Sequence, residues 1–132
     1  MRKIIKGDVN LGDLHLTELF DLSDVEVTGT FRCNNNFLTN LTGSPHTTSN
    51  SFSCDGNKLI NLIGAPKTVG GFFSCVGNNL TSLKGIPERI GYETSKLIFS
   101  SHFYLSANLK DIFSEKYIRS LSDIKGRVVY WR

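Results

Sequence analysis

A 21-residue repeat in the middle of the chain limits the possible folds more than any other feature of the sequence. Its first copy contains Phe31, Cys33, Asn36, Leu38, Leu41, Gly43 and Pro45. The same residue types return at Phe52, Cys54, Asn57, Leu59, Leu62, Gly64 and Pro66, and again at Phe73, Cys75, Asn78, Leu80, Leu83, Gly85 and Pro87. A unit this short cannot bury a hydrophobic face alone, so its copies must stack on one another. The repeat therefore predicts a solenoid.

Weaker copies flank the three strict ones. Before them, the same internal spacing is kept one residue out of the strict period by Val9, Leu11, Leu14, Leu16 and Leu19, with Leu14 in the asparagine position. After them, a divergent last coil is indicated by Leu97, Phe99, Phe103 and Leu105. We therefore expect the stacking to continue beyond the strict repeats on both sides.

The Phe-x-Cys pair of each copy predicts a short strand. Because side chains alternate between the two faces of a strand, phenylalanine and cysteine share one face while Arg32, Ser53 and Ser74 lie on the other. Stacked copies then pair these strands in parallel, and like residues form columns along the core. The sequence thus predicts a parallel sheet with one buried face.

Two further repeat positions indicate how each coil turns. The asparagine follows the strand, where its amide can donate to and accept from backbone groups that the turn leaves unpaired. The glycine and proline come later, where proline opposes a helix and favours an extended path. We therefore expect a structural asparagine ladder and a return arm that is extended or 3₁₀-helical.

The pattern Phe-x-Cys-x-x-Asn-x-Leu-x-x-Leu-x-Gly-x-Pro resembles the leucine-rich repeat in its short bacterial and bacteriophage form, over residues 8–105. The segments 80–85 and 65–71 are similar to repeats of large tailed phages. The resemblance implies a curved solenoid with parallel strands on its concave side and a partner, usually a protein, bound there. It implies no chemistry. Phenylalanine and cysteine occupy strand positions that leucine fills in the commonest pattern.

The expected fold class is mainly β, a leucine-rich-repeat solenoid with a parallel concave sheet and a C-terminal cap made of a helix and a strand. We assign residues 1–132 to a single domain, with an N-terminal cap at 1–7, repeats at 8–105 and a C-terminal cap at 106–132. Ile4 and Ile5 predict a first strand. The C-terminal helix is predicted from Leu109, Ile112, Phe113, Tyr117 and Leu121, with Asn108 or Ser106 as its N-cap.

Gly126 ends that helix, and a strand follows at 128–131. The C-terminal segment also fits a docking element for a partner, and the sequence leaves both readings open.

Composition narrows the class of protein. Hydrophobic residues make up 39% of the chain and charged residues 20%, which is typical of a folded domain and not of a disordered one. The net charge of +3 is spread along the chain, which argues against a basic nucleic-acid-binding arm. No signal peptide or membrane span is evident near the start, so we expect a cytoplasmic protein. Three cysteines, an odd number, favour reduced thiols.

No residue pattern in the chain indicates catalysis. Cys33, Cys54 and Cys75 recur at the repeat period and lack Cys-x-x-Cys spacing, so they predict a buried ladder and not a metal site. The three histidines, at 15, 46 and 102, fall at different phases of the coil. No nucleophile, base and acid share a phase. We therefore expect no enzyme, no cofactor and no metal.

The variable outward positions of the strands are the candidate binding surface. They differ from coil to coil while the core positions repeat, and comprise Arg32, Asn34, Ser53, Asp55, Phe72, Ser74 and Val76. We expect them to bind another protein, with Phe72 as the main anchor. If the phage resemblance holds, the partner is a host protein that occupancy inhibits or redirects. Plain drift of unconstrained surface residues is the competing interpretation.

A second functional hypothesis is nucleic-acid binding by the C-terminal segment. Its basic residues lie near Tyr130 and Trp131 and comprise Lys110, Lys116, Arg119, Lys125, Arg127 and Arg132. Aromatic rings beside basic groups can stack on bases and contact phosphates. Three acidic residues in the same stretch, Asp111, Glu115 and Asp123, weaken this hypothesis.

Overall fold

The computed structural model describes residues 2–92 and 101–132, which form a parallel β-solenoid of about six coils. Each coil contributes two short strands, one to each of two six-stranded sheets. The odd-strand sheet contains β1 (Lys3–Ile5), β3 (Val25–Val27), β5 (Thr47–Thr48), β7 (Thr68–Val69), β9 (Arg89–Ile90) and β11 (Asp123–Ile124). The even-strand sheet contains β2 (Val9–Asn10), β4 (Phe31–Arg32), β6 (Phe52–Ser53), β8 (Phe73–Ser74), β10 (Phe103–Ser106) and β12 (Val128–Trp131).

The predicted mainly β solenoid with parallel strands is confirmed, and so is the extended return arm. The sequence did not indicate that this arm forms a sheet of its own. After each buried proline the chain passes straight into an odd-numbered strand, for example from Pro45 into β5. Membership of the leucine-rich-repeat family stays a prediction.

The phenylalanines form a stacked column in the core. Each is fully buried, and the ring centroids of Phe31 and Phe52 lie 5.4 Å apart at 11° between planes. Phe52 and Phe73 are 5.2 Å apart at 7°, and Phe73 is 5.8 Å from Phe103 at 33°. Because paired strands lie about 4.8 Å apart, identical residues in register must stack in this way. Phe103 and Leu105 therefore belong to a real coil, whereas Leu97 and Phe99 lie outside the described residues.

The asparagine ladder is confirmed, and each side chain joins two coils. Asn57 Oδ1 accepts hydrogen bonds from the backbone N–H groups of Asn36 and Leu38 in the preceding coil. Its Nδ2 donates to the carbonyls of Cys33 and Cys54, at 3.0 Å each. Asn36 and Asn78 make equivalent contacts. The ladder thus satisfies turn groups that water does not reach.

A second polar ladder lies at the corner between the sheets, in the residue that precedes each even-numbered strand from β2 to β8. The N–H of Thr30 donates to Asp8, that of Ser51 to Thr30 Oγ1, and that of Phe72 to Ser51 Oγ, at 2.8, 3.3 and 3.0 Å. Each side chain caps a backbone donor of the next coil. These short polar residues therefore have a structural role that the repeat comparison did not reveal.

The C-terminal part differs in detail from the prediction. The only α-helix among the described residues, α1 (Glu115–Leu121), begins after Ser114, whose Oγ accepts from the N–H of Tyr117. Neither Asn108 nor Ser106 is its N-cap, because the segment Ala107–Leu109 is a separate 3₁₀ turn. The helix is followed by a complete sixth coil, made of β11 and β12.

Arg119 ties α1 to this last coil. Its guanidinium donates to the carbonyls of Ile124 and Gly126 at 2.9 and 2.8 Å and pairs with Glu115 at 2.9 Å. The Tyr130 hydroxyl donates to the carbonyl of Phe113, which holds the segment before α1 against β12. Neither described helix has the length and apolar character needed to cross a membrane.

Candidate functional site

The outer face of the even-strand sheet presents side chains in three parallel rows. Register pairs Ser53 with Ser74, Ser74 with Tyr104, and Tyr104 with Val129, and these residues form the middle row. The flanking rows lie two residues before and after it, because alternate residues of a strand share a face. The face therefore combines side chains from all six coils.

An open groove of about 330 Å³ lies on this face over coils three to six. Its lining consists of Asp55, Phe72, Ser74, Val76, Tyr104 and Trp131. Ser74 is the small residue at its floor, with Phe72 and Val76 two positions away on the same stretch of chain. Larger side chains from neighbouring coils rise around this floor. The groove thus exists because Ser74 occupies the middle row with the bulkier Phe72, Val76 and Tyr104 around it.

Three aromatic rings of the groove form a continuous edge-to-face chain. Phe72 and Tyr104 are 5.7 Å apart between centroids at 87°, and Tyr104 and Trp131 are 6.3 Å apart at 82°. Such perpendicular pairs are a favourable aromatic geometry and hold each ring in place. Trp131 nevertheless leaves 57% of its surface exposed. The groove therefore offers pre-positioned aromatic surface to a ligand.

Asp55 supplies the carboxylate of the groove. Its Oδ1 accepts hydrogen bonds from Ser74 Oγ at 2.6 Å and from the N–H of Val76 at 2.8 Å. Within the described residues, no hydrogen bond reaches Oδ2 and no basic group lies within 4.0 Å of the carboxylate. One oxygen thus orients the side chain, and the other remains able to accept from a ligand.

His102 lies beside the aromatic chain, with its ring 5.8 Å from that of Tyr104. Burial, and then the charge of Arg127, lower the pKa of His102 below its usual value. The N–H of Arg127 donates to His102 Nδ1 at 3.0 Å, which requires that nitrogen to be unprotonated. His102 is therefore neutral at neutral pH.

The structure brings together four of the seven predicted binding residues, namely Asp55, Phe72, Ser74 and Val76. Arg32 is exposed on coil two, and Asn34 is half-buried there, with a buried Oδ1 that has no hydrogen-bond partner among the described residues. These two do not line the groove.

Two predicted binding residues are less accessible than expected. Ser53 and Ser74 point outward, yet only 3% and 5% of their surfaces are exposed. Ser74 lies beside the larger Phe72, Val76 and Tyr104, and Ser53 lies beside Arg32 and Asp55. Both serines point outward as expected but expose little surface, and their part in binding stays a prediction.

Tyr104 and Trp131 line the groove but are not among the seven residues expected to bind a protein; the sequence pointed to Trp131 only for nucleic-acid binding. Tyr104 lies between the buried Phe103 and Leu105, so the period-2 pattern could have identified it as outward. Trp131 follows the same alternation one coil later, opposite Ser106. Its place beside Tyr104 could not be predicted, because the sequence does not show that the C-terminal strand pairs with the strand of Tyr104.

The cysteines form the buried ladder expected of them. Each thiol is fully buried and points at a backbone carbonyl of the next coil, at 3.6, 3.3 and 3.4 Å for Cys33, Cys54 and Cys75. Burial raises the pKa of Cys33 to about 12 and the pKa of Cys54 and Cys75 well above the usual thiol value. Among residues 2–92 and 101–132, no cluster of three histidine, cysteine or acidic side chains could hold a metal ion.

Part of the basic C-terminal segment is engaged within the chain. Arg119 uses its guanidinium on α1 and the last coil, and the Tyr130 hydroxyl is bonded to a backbone carbonyl. Trp131 turns its ring toward Tyr104 and the groove. These contacts leave fewer groups for phosphate and base contacts than the nucleic-acid hypothesis assumed.

Comparisons with protein-family models, with curated protein sequences and with solved structures find no match to this chain. The groove therefore has to be interpreted from its own chemistry, which combines three rings, a carboxylate and a serine floor on a two-sheet solenoid.

Proposed function

We propose that the protein binds another protein by occupancy, through the groove on the outer face of its even-strand sheet. The observation that carries this proposal is the cluster of Phe72, Tyr104 and Trp131 around one concave surface. Aromatic side chains dominate the energetics of protein interfaces, and they act best in pockets from which water is expelled. The proposal involves no catalytic step and no cofactor.

The rigidity of the groove supports this role. Its residues lie on or beside paired strands, and the Asp55 carboxylate is held by two hydrogen bonds. A partner therefore has little side-chain entropy to remove on this side of the interface. Exposed tryptophan also carries a large apolar area that a bound partner would cover.

The partner segment has to be narrow, because the groove is much smaller than a typical protein interface. A volume of about 330 Å³ accepts one or two side chains. Neighbouring outward positions, including Arg32 and Asn34, then lie at the rim, where contacts add complementarity more than affinity. We infer that one anchor of the partner enters the groove while the surrounding face contacts its flanks.

The resemblance of the repeats to those of tailed phages makes a bacterial host protein the partner class to test first. Under this proposal the protein acts in the cytoplasm of the host and blocks or redirects its target without altering it chemically.

The test is affinity capture from bacterial lysate with matched variants, read by mass spectrometry. A Phe72→Ala/Trp131→Ala double variant removes two walls of the groove, and Ile60→Ala, at a 52% exposed position outside it, is the control. We expect a protein that the wild type and the control retain and the double variant loses. Equal capture by all three would refute the groove as the binding site, provided that the variants melt alike.

The salt dependence of binding distinguishes a protein partner from nucleic acid. Phosphate contacts make affinity fall steeply with salt, whereas an aromatic protein contact depends on salt only weakly. A steep salt dependence that disappears in Lys116→Ala or Arg127→Ala, with the groove variants unaffected, would favour the C-terminal segment instead.

A further inference from the structure

The groove combines features that suit a positive charge. Three aromatic rings meet there, and the negative face of an aromatic ring attracts a cation within about 6 Å of its centroid. Tyr104 is nearly perpendicular to each of its two neighbours, at 87° to Phe72 and 82° to Trp131. Rings that meet at right angles enclose a compact group such as an ammonium from more than one side, whereas a planar guanidinium stacks flat on a single ring.

The carboxylate of Asp55 adds the complementary charge. Among residues 2–92 and 101–132, Asp55 is the one acidic residue that lines the groove, and its Oδ2 receives no hydrogen bond from them. A ligand with an N–H donor can therefore reach this oxygen without breaking the bonds that Oδ1 makes to Ser74 and Val76. Ser74 Oγ donates to Asp55, so its lone pairs also remain available to accept.

The chain already pairs other aromatic rings with its own cations. The Lys58 ammonium lies 5.3 Å from the centroid of Phe37, and the Arg89 guanidinium lies 5.8 Å from that of Tyr92. In the described part of the chain, no basic side chain lies over Phe72, Tyr104 or Trp131 in this way. The three rings of the groove thus lack a described cation, whereas Phe37 and Tyr92 each have one.

From these observations we propose that the groove binds the ammonium head of a lysine side chain, with or without methyl groups, presented by the partner protein. This inference rests on the proposed protein-binding function and names the anchor that enters the groove. The ammonium donates to Asp55 Oδ2 and lies against the faces of the three rings. The apolar stem of the lysine passes over Val76 at the mouth of the groove, where it displaces water.

The direct test uses small probes with the intact protein. Acetyl-lysine methylamide with a free ε-ammonium and its neutral norleucine counterpart are titrated into ¹⁵N-labelled protein, and the Trp131 indole N–H and Ser74 amide signals are followed by NMR. We expect millimolar binding of the lysine probe, and at least tenfold weaker binding of the norleucine probe. A dimethyllysine probe, which keeps one N–H for Asp55 Oδ2, binds at least as tightly as lysine because its charge is less hydrated.

Two substitutions check the geometry. Asp55→Asn keeps an oxygen for Ser74 and Val76 but removes the charge, so it should weaken the lysine probe at least tenfold without a change in melting temperature. Trp131→Ala should weaken it about fivefold, whereas Asp24→Asn, an equal charge change at an exposed position before β3, should have no effect. The inference is overturned if the lysine and norleucine probes bind the wild type with equal affinity, or if Asp55→Asn binds the lysine probe as tightly as the wild type does.

A peptide-display selection separates failure of this inference from failure of the proposed function. Peptides selected on the wild type and rejected by the Phe72→Ala/Trp131→Ala variant should be enriched in lysine. Groove-dependent peptides that lack lysine would leave the protein-binding function standing and overturn the lysine anchor. If no selected peptide depends on the groove, the proposed function fails, whatever the small probes show.

Discussion

Replacing Asn57 by alanine tests the asparagine ladder at its centre. Asn57 is only 6% exposed and its side chain makes five hydrogen bonds to the backbone of two coils, four of them at 3.0 to 3.2 Å and one at 3.4 Å. Alanine removes all five and leaves a space between the coils. We therefore expect a large loss of stability from a substitution that alters no hydrophobic contact in the core.

The size of the stability loss depends on which backbone groups around Asn57 keep another hydrogen-bond partner. The carbonyls of Cys33 and Cys54 also accept from Asn36 and Asn78, so the loss of Asn57 leaves each with one amide donor. The N–H groups of Asn36 and Leu38 lose their acceptor, and a buried unsatisfied donor costs about 1–3 kcal/mol. Two such donors give an expected loss of about 3 kcal/mol, a large part of the 5–15 kcal/mol typical of a domain.

The assay is urea unfolding followed by circular dichroism, with the fluorescence of Trp131, the one tryptophan, as a reporter on the last coil. Asn61→Ala is the matched control in the same coil, because Asn61 Oδ1 accepts one exposed bond, from the N–H of Ile63, that water can replace. We expect that control to lose less than about 1 kcal/mol. Asn57→Asp, which preserves the shape but not the amide donors, should also be strongly destabilised.

A loss in Asn57→Ala no larger than that in Asn61→Ala would refute the reasoning. It would mean that relaxation or water satisfies the two stranded N–H groups and that the ladder adds little to stability.

The remaining predictions concern the thiols, one glycine and one arginine. The cysteines should react with a water-soluble thiol reagent only after denaturant is added, and rapid labelling of the native protein would contradict the buried ladder. Burial raises the folded-state pKa of Cys33 from 9.0 to about 12, so the stability that the neutral thiol contributes is complete below pH 9 and is lost between pH 9 and 12. In urea unfolding across that range, the free energy of unfolding should therefore fall less in Cys33→Ala than in the wild type. Gly64→Ala should lower the free energy of unfolding by at least about 2 kcal/mol, because φ is +94° and the new Cβ would lie 2.3 Å from a backbone nitrogen. Gly7→Ala, at φ +91° in open space, should lose only the conformational cost of about 1 kcal/mol, as thermal melts can measure. Arg119→Ala should lose about 1–2 kcal/mol through the unpaired carbonyls of the last coil, and a melting temperature equal to that of Lys116→Ala would show that this contact is not structural.

The parts of the fold that the sequence predicted are those that follow directly from the 21-residue spacing of the repeat. Equal spacing of Phe31 and its counterparts requires stacked coils, and alternation with cysteine requires strands with one buried face. The asparagine ladder followed from the chemistry of an amide placed at a turn. These inferences needed only local pattern and stacking, so they did not depend on how distant parts of the chain meet.

The second sheet was missed because its strands carry no recurring signature. Thr47–Thr48 and Arg89–Ile90 occupy the same position in their coils with different residues, and each strand has only two residues. Left-handed backbone before the ladder asparagine was also missed, although Asn35, Gly56 and Gly77 share that position and have φ of 58°, 70° and 74°. Residue types that tolerate positive φ could have revealed it.

Four of the six residues that line the groove were predicted, and the other two were missed because they come from less regular coils. Asp55 and Phe72 belong to the strict copies, where phase alone identifies outward positions. Tyr104 lies in the divergent coil, and Trp131 lies in the strand that follows the helix. Only the register of β8, β10 and β12 brings their rings to the groove that Phe72 also lines. Whether an outward side chain is accessible depends on the sizes of its neighbours, which is why Ser53 and Ser74 are buried.

The direction of the asparagine ladder has a consequence for how the chain folds as it is synthesised. Each asparagine completes the turn of the coil that precedes it, as Asn78 does for the N–H of Leu59. A coil that has just left the ribosome therefore lacks the amide that closes its turn until 21 more residues have emerged. At typical rates of synthesis this delay is about one to four seconds per coil. We expect nascent chains to acquire protease resistance in steps that lag one repeat behind the residues already exposed.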